Sequence, residues 1–291
     1  MSPILAVRSY RFLARRDSEF PPLLSAIHDP PRGLFLRGEG PVELLSRPAV
    51  AIVGARSCSS YGAQVARTLA RELAAAGALV VSGLARGVDA EAHRGALEAG
   101  GLTVAVLGCG IDRDYPRAHA TLAASIAATS LLVSEYEPGI EPAPWRFPAR
   151  NRIVSGLAAA TIVVEARARS GALITADFAL EEGRDVFAVP GEITSALSRG
   201  TNHLLRLGAA PVLEPADVIA VLGLEQPEAR RRKRLSDQAE QIRELVSSHP
   251  ASIDELVQAS SLSADVVATA LVELELAGEA VCTEGVYRTQ E

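Results

Sequence analysis

The stretch VAIVGARSCSSYGAQVARTLARELAAAGALVVSG (50–83) decides the fold. Two apolar runs, VAIVG (50–54) and ALVVSG (78–83), flank YGAQVARTLARELAAAG, an amphipathic stretch long enough for a crossover helix. Runs that are apolar throughout, rather than alternating, suit strands buried on both faces. The same alternation continues through LTVAVLG (102–108), LLVSEY (131–136), TIVVEA (161–166), VFAVPG (186–191) and APVL (210–213), with DAEAHRGALEAGG and TADFALEEGRD among the intervening segments. Repeated β-α units predict an α/β fold, a doubly wound parallel sheet with helices on both faces. The runs alone leave the strand order open.

Outward from this core, residues 1–48 carry two Pro pairs and short apolar clusters and read as an N-terminal lead-in packed on the sheet. Residues 49–224 form the α/β domain, and 225–234 (EQPEARRRKR) a basic linker, read as a solvated tether. In 235–291, three helix-like stretches precede EAVCTEGVYRT, which reads as two short strands around Glu284-Gly285; the set describes a small winged-helix domain. The balance of 48% apolar and 22% charged residues is that of a protein with a real core. No run approaches the ~20 apolar residues of a membrane span, and no signal-peptide pattern opens the chain. Three separated cysteines (Cys58, Cys109, Cys282) form no CxxC, and the five histidines have no ligand spacing. A cytoplasmic protein without a metal, a disulfide framework or a membrane partner is expected.

Net charge is −6, yet it is unevenly spread. Residues 235–291 hold eleven acidic and two basic side chains (Arg243, Arg288), a balance of −9, whereas 1–234 balance at +3. Only the first part suits a polyanion.

In open α/β sheets ligands bind beyond the C-terminal strand ends, where helix N-termini present unpaired N–H groups. The loops there are rich in Gly, Ser and Arg: Gly54, Arg56 and Ser57 after the first strand, Ser82, Gly83 and Arg86 after the second, Gly108, Gly110, Arg113 and Arg117 after the third, and Arg167, Arg169, Ser170 and Gly171 after TIVVEA. Small residues let a ligand approach the backbone and arginines grip phosphate bidentately, so loops converging on one edge suggest an extended phosphate-bearing ligand. Any one of them alone reads more readily as a tight βα turn than as a ligand loop. Lys233 is the sole lysine, which leaves no P-loop lysine or Schiff-base lysine in the α/β domain. Gly108-Cys109-Gly110-Ile111-Asp112-Arg113 is a broken dinucleotide fingerprint. Cys109 reads as packed, and Asp89, Glu91, Glu135 and Glu165 as groups that orient arginines.

In order and spacing, VAIVGARSCSSYG, SGLARGVDAEAH, TVAVLGCGIDRDYP, SEYEPG, FPARNRIVSGLA, VVEARARSGALITADFALEEGRDVFAVPG and SRGTNHLLRLGA resemble the DprA (Smf) family, over about Arg16 to Leu224. The C-terminal segment is similar to the winged-helix domain of many members; no match to their N-terminal helical domain is recognised. The resemblance implies an extended Rossmann-like domain that binds single-stranded DNA without catalysis and without a cofactor. It implies a protein that protects incoming strands during natural transformation, helps load RecA and works as a homodimer. It places a phosphate grip on Arg56 and a basic contact on Arg117, with His119 where the family commonly has Asn. Arg150-Asn151-Arg152 and Ser170, Gly171 and Thr175 match other parts of the DNA-binding face. A cationic groove for a single strand would draw on Arg56, Arg86, Arg113, Arg117, Arg150 and Arg152. Tyr61, Tyr115, Trp145 and Phe147 lie near these loops and read as core or lid rather than as stacking platforms.

Two other classes compete. A phosphoribohydrolase of the lysine-decarboxylase-like type would use Glu165 and Arg150 as a catalytic pair, but SGALITADFALEE stands where its PGGxGTxxE run belongs. A dinucleotide oxidoreductase is disfavoured by the broken fingerprint. The −9 winged helix would repel phosphates, so it is expected to bind protein or to compete for the basic face.

Overall fold

The computed structural model describes residues 9–224, 235–277, 279–283 and 285–289, so the basic run 225–234 and Glu284 lie outside it. The described residues form two compact units that meet in sequence near residue 226.

The first unit opens with β1 (Arg11–Ala14), the single-turn α1 (Pro22–Ser25) and β2 (Gly33–Arg37). Then come β3 (Ala49–Val53), α2 (Ser60–Ala75), β4 (Leu79–Ser82), α3 (Val88–Glu98), β5 (Thr103–Leu107), α4 (Ala120–Thr129) and β6 (Leu131–Ser134). The second half supplies α5 (Arg146–Gly156), β7 (Ala160–Val163), α6 (Gly171–Glu181), β8 (Asp185–Ala188), α7 (Arg199–Arg206), β9 (Ala210–Pro211) and α8 (Ala216–Val221). The nine strands lie in the order β1-β2-β6-β5-β4-β3-β7-β8-β9. All pairs from β6 to β9 are parallel, and β1 and β2 add an antiparallel edge, with Phe35 opposite Ser134. The order reverses between β3 and β7, the switch point of a doubly wound sheet.

Strand β3 shows why the central runs are apolar throughout. Ala49, Ala51 and Val53 pack into a core shared with Ile153 and Val154 of α5, Leu157 just after it, and Ala172, Ala176 and Ala179 of α6. Val50 and Ile52, pointing the other way, pack with Ala66, Leu69 and Leu73 of α2 and Val88 and Ala92 of α3. With both faces covered, every position of the strand must be apolar.

The second unit contains α9 (Asp237–Ser248), β10 (Ala251–Ser252), α10 (Ile253–Ser260), α11 (Ala264–Ala277), β11 (Ala280–Thr283) and β12 (Val286–Thr289). Its sheet order is β10-β12-β11. Ser236 caps α9 by accepting from the Ala239 N–H, and Ser252 with Glu255 forms a full capping box on α10. Ile242, Val246, Leu256, Val267, Leu271 and Leu274 fill a separate core. Three helices and a three-stranded sheet make a winged helix. Among the described residues no single helix is long and apolar enough to cross a membrane.

Candidate functional site

A groove of about 400 Å³ opens at the switch point. It is lined by Gly54 and Arg56 from the β3–α2 loop, Ala85 and Asp89 from the β4–α3 region, Phe147, Pro148, Arg150 and Asn151 from α5, and Arg169, Ser170, Gly171 and Thr175 from the start of α6. Loops far apart in sequence thus converge on one edge.

The loop carrying Arg56 is held from beneath. Ser59 caps α2 by accepting from the Gly62 N–H at 3.0 Å. The buried Glu165 carboxylate accepts from the Ser59 N–H at 2.8 Å and the Ser59 hydroxyl at 2.6 Å. A Cβ on Gly54 would come within 2.6 Å of Val88, so the close approach of α3 to the end of β3 demands glycine. Gly87 has φ +75°, and a Cβ there would lie 2.2 Å from the Ala55 carbonyl oxygen. Fixed in this way, Arg56 projects into solvent with its guanidinium 5.4 Å from the Phe147 ring centroid. Tyr115 stacks on the same Phe147 ring at 5.3 Å, which brings the Tyr115-Pro116-Arg117 turn beside Arg56. Arg117 is exposed on that turn. Among the described residues no ion pair ties up Arg56 or Arg117. A second concavity, with Gly83, Arg86, Tyr115 and Pro116, shares Arg56, Phe147 and Arg150 with the groove.

Across the groove, Ser170 caps α6 through its side chain, Asn151 donates to the Gly171 carbonyl at 3.1 Å, and Thr175 is buried beneath. A Cβ on Gly171 would meet nothing within 4 Å, so the first turn of this helix faces open space. Helix N-termini favour anions, and the exposed Arg169 adds a cation that the family motifs did not single out.

Several expected phosphate ligands serve other partners. Arg150 is 4% exposed and donates to the carbonyls of Gly83, at 2.7 Å, and Val106. It forms the groove floor and braces strand ends. Asp89 grips the same loop from the other side, accepting from the Gly83 and Ala85 N–H groups. Burial pushes its carboxyl above the usual range, against the opposing pull of Arg150 and those donors. Arg152 is turned away from the groove into ion pairs with Asp29, at 2.9 Å, and Glu135, at 2.6 Å. Arg113 pairs with Glu141 at 2.8 Å. Ser82 is buried and donates to the Ile52 carbonyl, and the Gly110 N–H is taken by the Ile140 carbonyl. Gly108 is packed under the Phe147 ring, and Ser57 is exposed on the Arg56 loop. His119 is buried, and its Nδ1–H donates to the carbonyl of Leu84, a residue held at φ +57°. Burial raises the Cys109 thiol to about 11, leaving no thiolate near neutral pH. Glu165 and Arg150, the pair a phosphoribohydrolase would need, are bound to Ser59 and to backbone carbonyls respectively. The signal that separates Arg150 from Arg56 is position: one lies inside an apolar helix face, the other in a Gly- and Ser-rich loop.

Fold and groove together define an extended Rossmann-like α/β protein with free arginines at its switch point, joined to a winged helix. The chain belongs to the family of DNA recombination-mediator protein A, whose family model matches residues 11–223, and the DprA winged helix domain matches 226–285. It is 48% identical over 208 residues to the DNA processing protein DprA of Streptococcus pneumoniae, covering 70% of this chain and 71% of that protein. It is 41% identical over 283 residues to the protein Smf of Escherichia coli, covering 93% and 75%. The X-ray structure of the S. pneumoniae protein aligns with a TM-score of 0.70 at 45% identity, covering 73% of this chain and 74% of that one. DNA processing protein A from Helicobacter pylori, solved with attention to its single-stranded DNA binding mode, aligns with a TM-score of 0.66 at 35% identity, covering 74% and 95%.

Proposed function

We propose that the switch-point groove binds the phosphate backbone of single-stranded DNA, and that the protein acts as a non-enzymatic recombination mediator. In this reading it protects incoming strands in the cytoplasm during natural transformation and helps load RecA onto them. The observation that carries the DNA contact is Arg56, an exposed guanidinium on a braced loop, facing the open first turn of α6 across the groove. Arg56, Arg86, Arg117 and Arg169 are the cations we assign to phosphates, with Ser57, Ser170 and the Gly171 backbone as neutral donors. Gly54, Gly83, Gly108, Asn151 and Thr175 shape the path, and Arg150 holds its floor. The DNA-binding mode described for the H. pylori relative supports this reading; membership of a family of DNA recombination mediators supports the recombination role, and RecA loading and transformation are what the resemblance implies. A homodimer belongs to the same reading, as the family resemblance implies.

The winged helix has a different task. The solvent side of α11 carries Asp265, Thr269, Val272 and Glu275, with no cation, and Arg243 is paired with Glu240 and Glu279. We assign this module to a protein partner or to competition for the basic groove, not to DNA.

The test is a titration of labelled dT oligomer at several salt concentrations. Each phosphate neutralised on a single strand adds about −0.7 to the log–log salt slope. Arg56→Ala should weaken binding roughly tenfold or more and flatten the slope by about 0.7, with melting temperature unchanged. An unchanged affinity in that variant would refute the assignment.

A further inference from the structure

The aromatic residues near the groove were expected to be core or lid, and Trp145 is not core. It precedes the first residue of α5 and is 63% exposed, although it is the chain's only tryptophan and its largest apolar ring. Its indole is layered: the Arg146 guanidinium lies 4.7 Å from the Trp145 centroid and 5.2 Å from that of Tyr136. Arg146 is fixed there by a hydrogen bond to the Glu141 carbonyl, so the indole is backed by a cation that cannot swing away freely. The same helix end carries Phe147, the ring shared by the groove and the concavity next to it.

We infer that Trp145, backed by Arg146 and Tyr136, is a base-stacking platform that receives a nucleobase from a single strand leaving the groove over the N-terminus of α5. This rests on the reading of the groove as a single-strand site and extends it from phosphate contacts to a base contact. Every base has a π-face, so the platform accepts any nucleobase. The guanidinium beneath adds attraction for the neighbouring phosphate and stiffens the ring. Arginine stacked on an aromatic is a recurrent element of single-strand binding.

Because Trp145 is the sole tryptophan, its fluorescence reports on this platform alone. The full-length protein is titrated with dT oligomers of increasing length and with an abasic strand of matched length, while fluorescein anisotropy records binding separately. Quenching of Trp145 should be absent for the shortest strands that bind, appear above a threshold length, and be missing for the abasic strand. Trp145→Ala should lose roughly tenfold in affinity for long dT, the scale of one stacked base, with the salt slope and abasic affinity unchanged. Trp145→Phe should keep most of the affinity. Anisotropy showing tight binding at every length, with no quenching and full affinity in Trp145→Ala, overturns the platform and leaves the groove standing. No binding of any strand overturns the groove, and the platform with it.

Discussion

Replacing Arg150 by methionine separates bracing from DNA binding. Methionine keeps most of the aliphatic stem and removes the charge. In the structure the guanidinium is buried and satisfies the carbonyls of Gly83 and Val106. Its loss leaves two buried acceptors without that donor, at about 1–3 kcal/mol each. It also removes the positive charge that most favours the buried Asp89 carboxylate. Together these give about 3–5 kcal/mol, the range found when one member of a buried charge pair is deleted. For a unit of this size each kcal/mol moves the melting temperature by about 2–4 °C, so the large unit should melt roughly 10 °C lower. Adding Asp89→Leu should return part of the loss, since the stranded carboxylate goes with it. Differential scanning calorimetry reads this transition, and oligonucleotide titration well below it reads DNA affinity. At that temperature Arg150→Met should show the parent's salt slope, because no phosphate contact has been removed. A normal melting temperature combined with a slope flattened by about 0.7 would show that Arg150 grips phosphate and that the bracing argument is wrong.

Three further outcomes follow from other parts of the structure. Removing residues 235–291 should leave dT affinity at low salt unchanged or tighter, because the segment carries a balance of −9; a clear loss would assign the winged helix to DNA after all. Gly87→Ala forces a Cβ against the Ala55 carbonyl at a positive φ, so it should cost about 1–3 kcal/mol in urea unfolding and weaken DNA binding by shifting the Arg56 loop, whereas Gly171→Ala, with open space around it, should leave stability intact. His93 is buried, its Nδ1–H donates to Thr103 at 2.7 Å, and burial with the nearby Arg150 charge lowers it to about 3. Below pH 6.5 the unfolded chain takes up a proton that the native ring refuses, so this residue should cost about 2 kcal/mol between pH 6.5 and 5, and His93→Gln should show a correspondingly flatter pH dependence in urea unfolding over that interval.

The doubly wound core was legible because burial on two faces leaves its mark in local sequence. VAIVG, ALVVSG and TIVVEA can stay almost wholly apolar, without alternation, only in a covered sheet, and each yields a central strand, β3, β4 and β7. The strand order was not legible, since β3 meets β7 through contacts more than a hundred residues apart in the chain. Strand β1, mostly exposed at the sheet edge, and β10, only two residues long, leave no such mark. Helix α6 begins at Gly171, four residues before TADFALEEGRD. Ser-Gly-Ala reads locally as loop, and only the Ser170 cap and packing of Ala172 make it the first turn.

The site was legible in residue type and only partly in role. Carbonyls collect at the C-terminal ends of parallel strands, so a guanidinium placed there can turn inward to them or outward to a phosphate. Burial decides between the two. Arg150 and Arg152 are adjacent members of one motif, yet they sit two residues apart on α5, about 200° around the helix axis. They therefore face different surroundings: Arg150 meets the carbonyls of Gly83 and Val106, and Arg152 meets Asp29 and Glu135. The apolar neighbours Ile153, Val154 and Leu157 already mark which side of α5 is inside. Arg56 has no such helix face, lying in a loop where Glu165 and Ser59 hold the backbone and leave the side chain in water. An arginine ready for a ligand is thus one whose backbone is fixed and whose guanidinium is not. By that criterion Arg56 stands apart from Arg150 and Arg152, whose guanidinium groups hold the fold together.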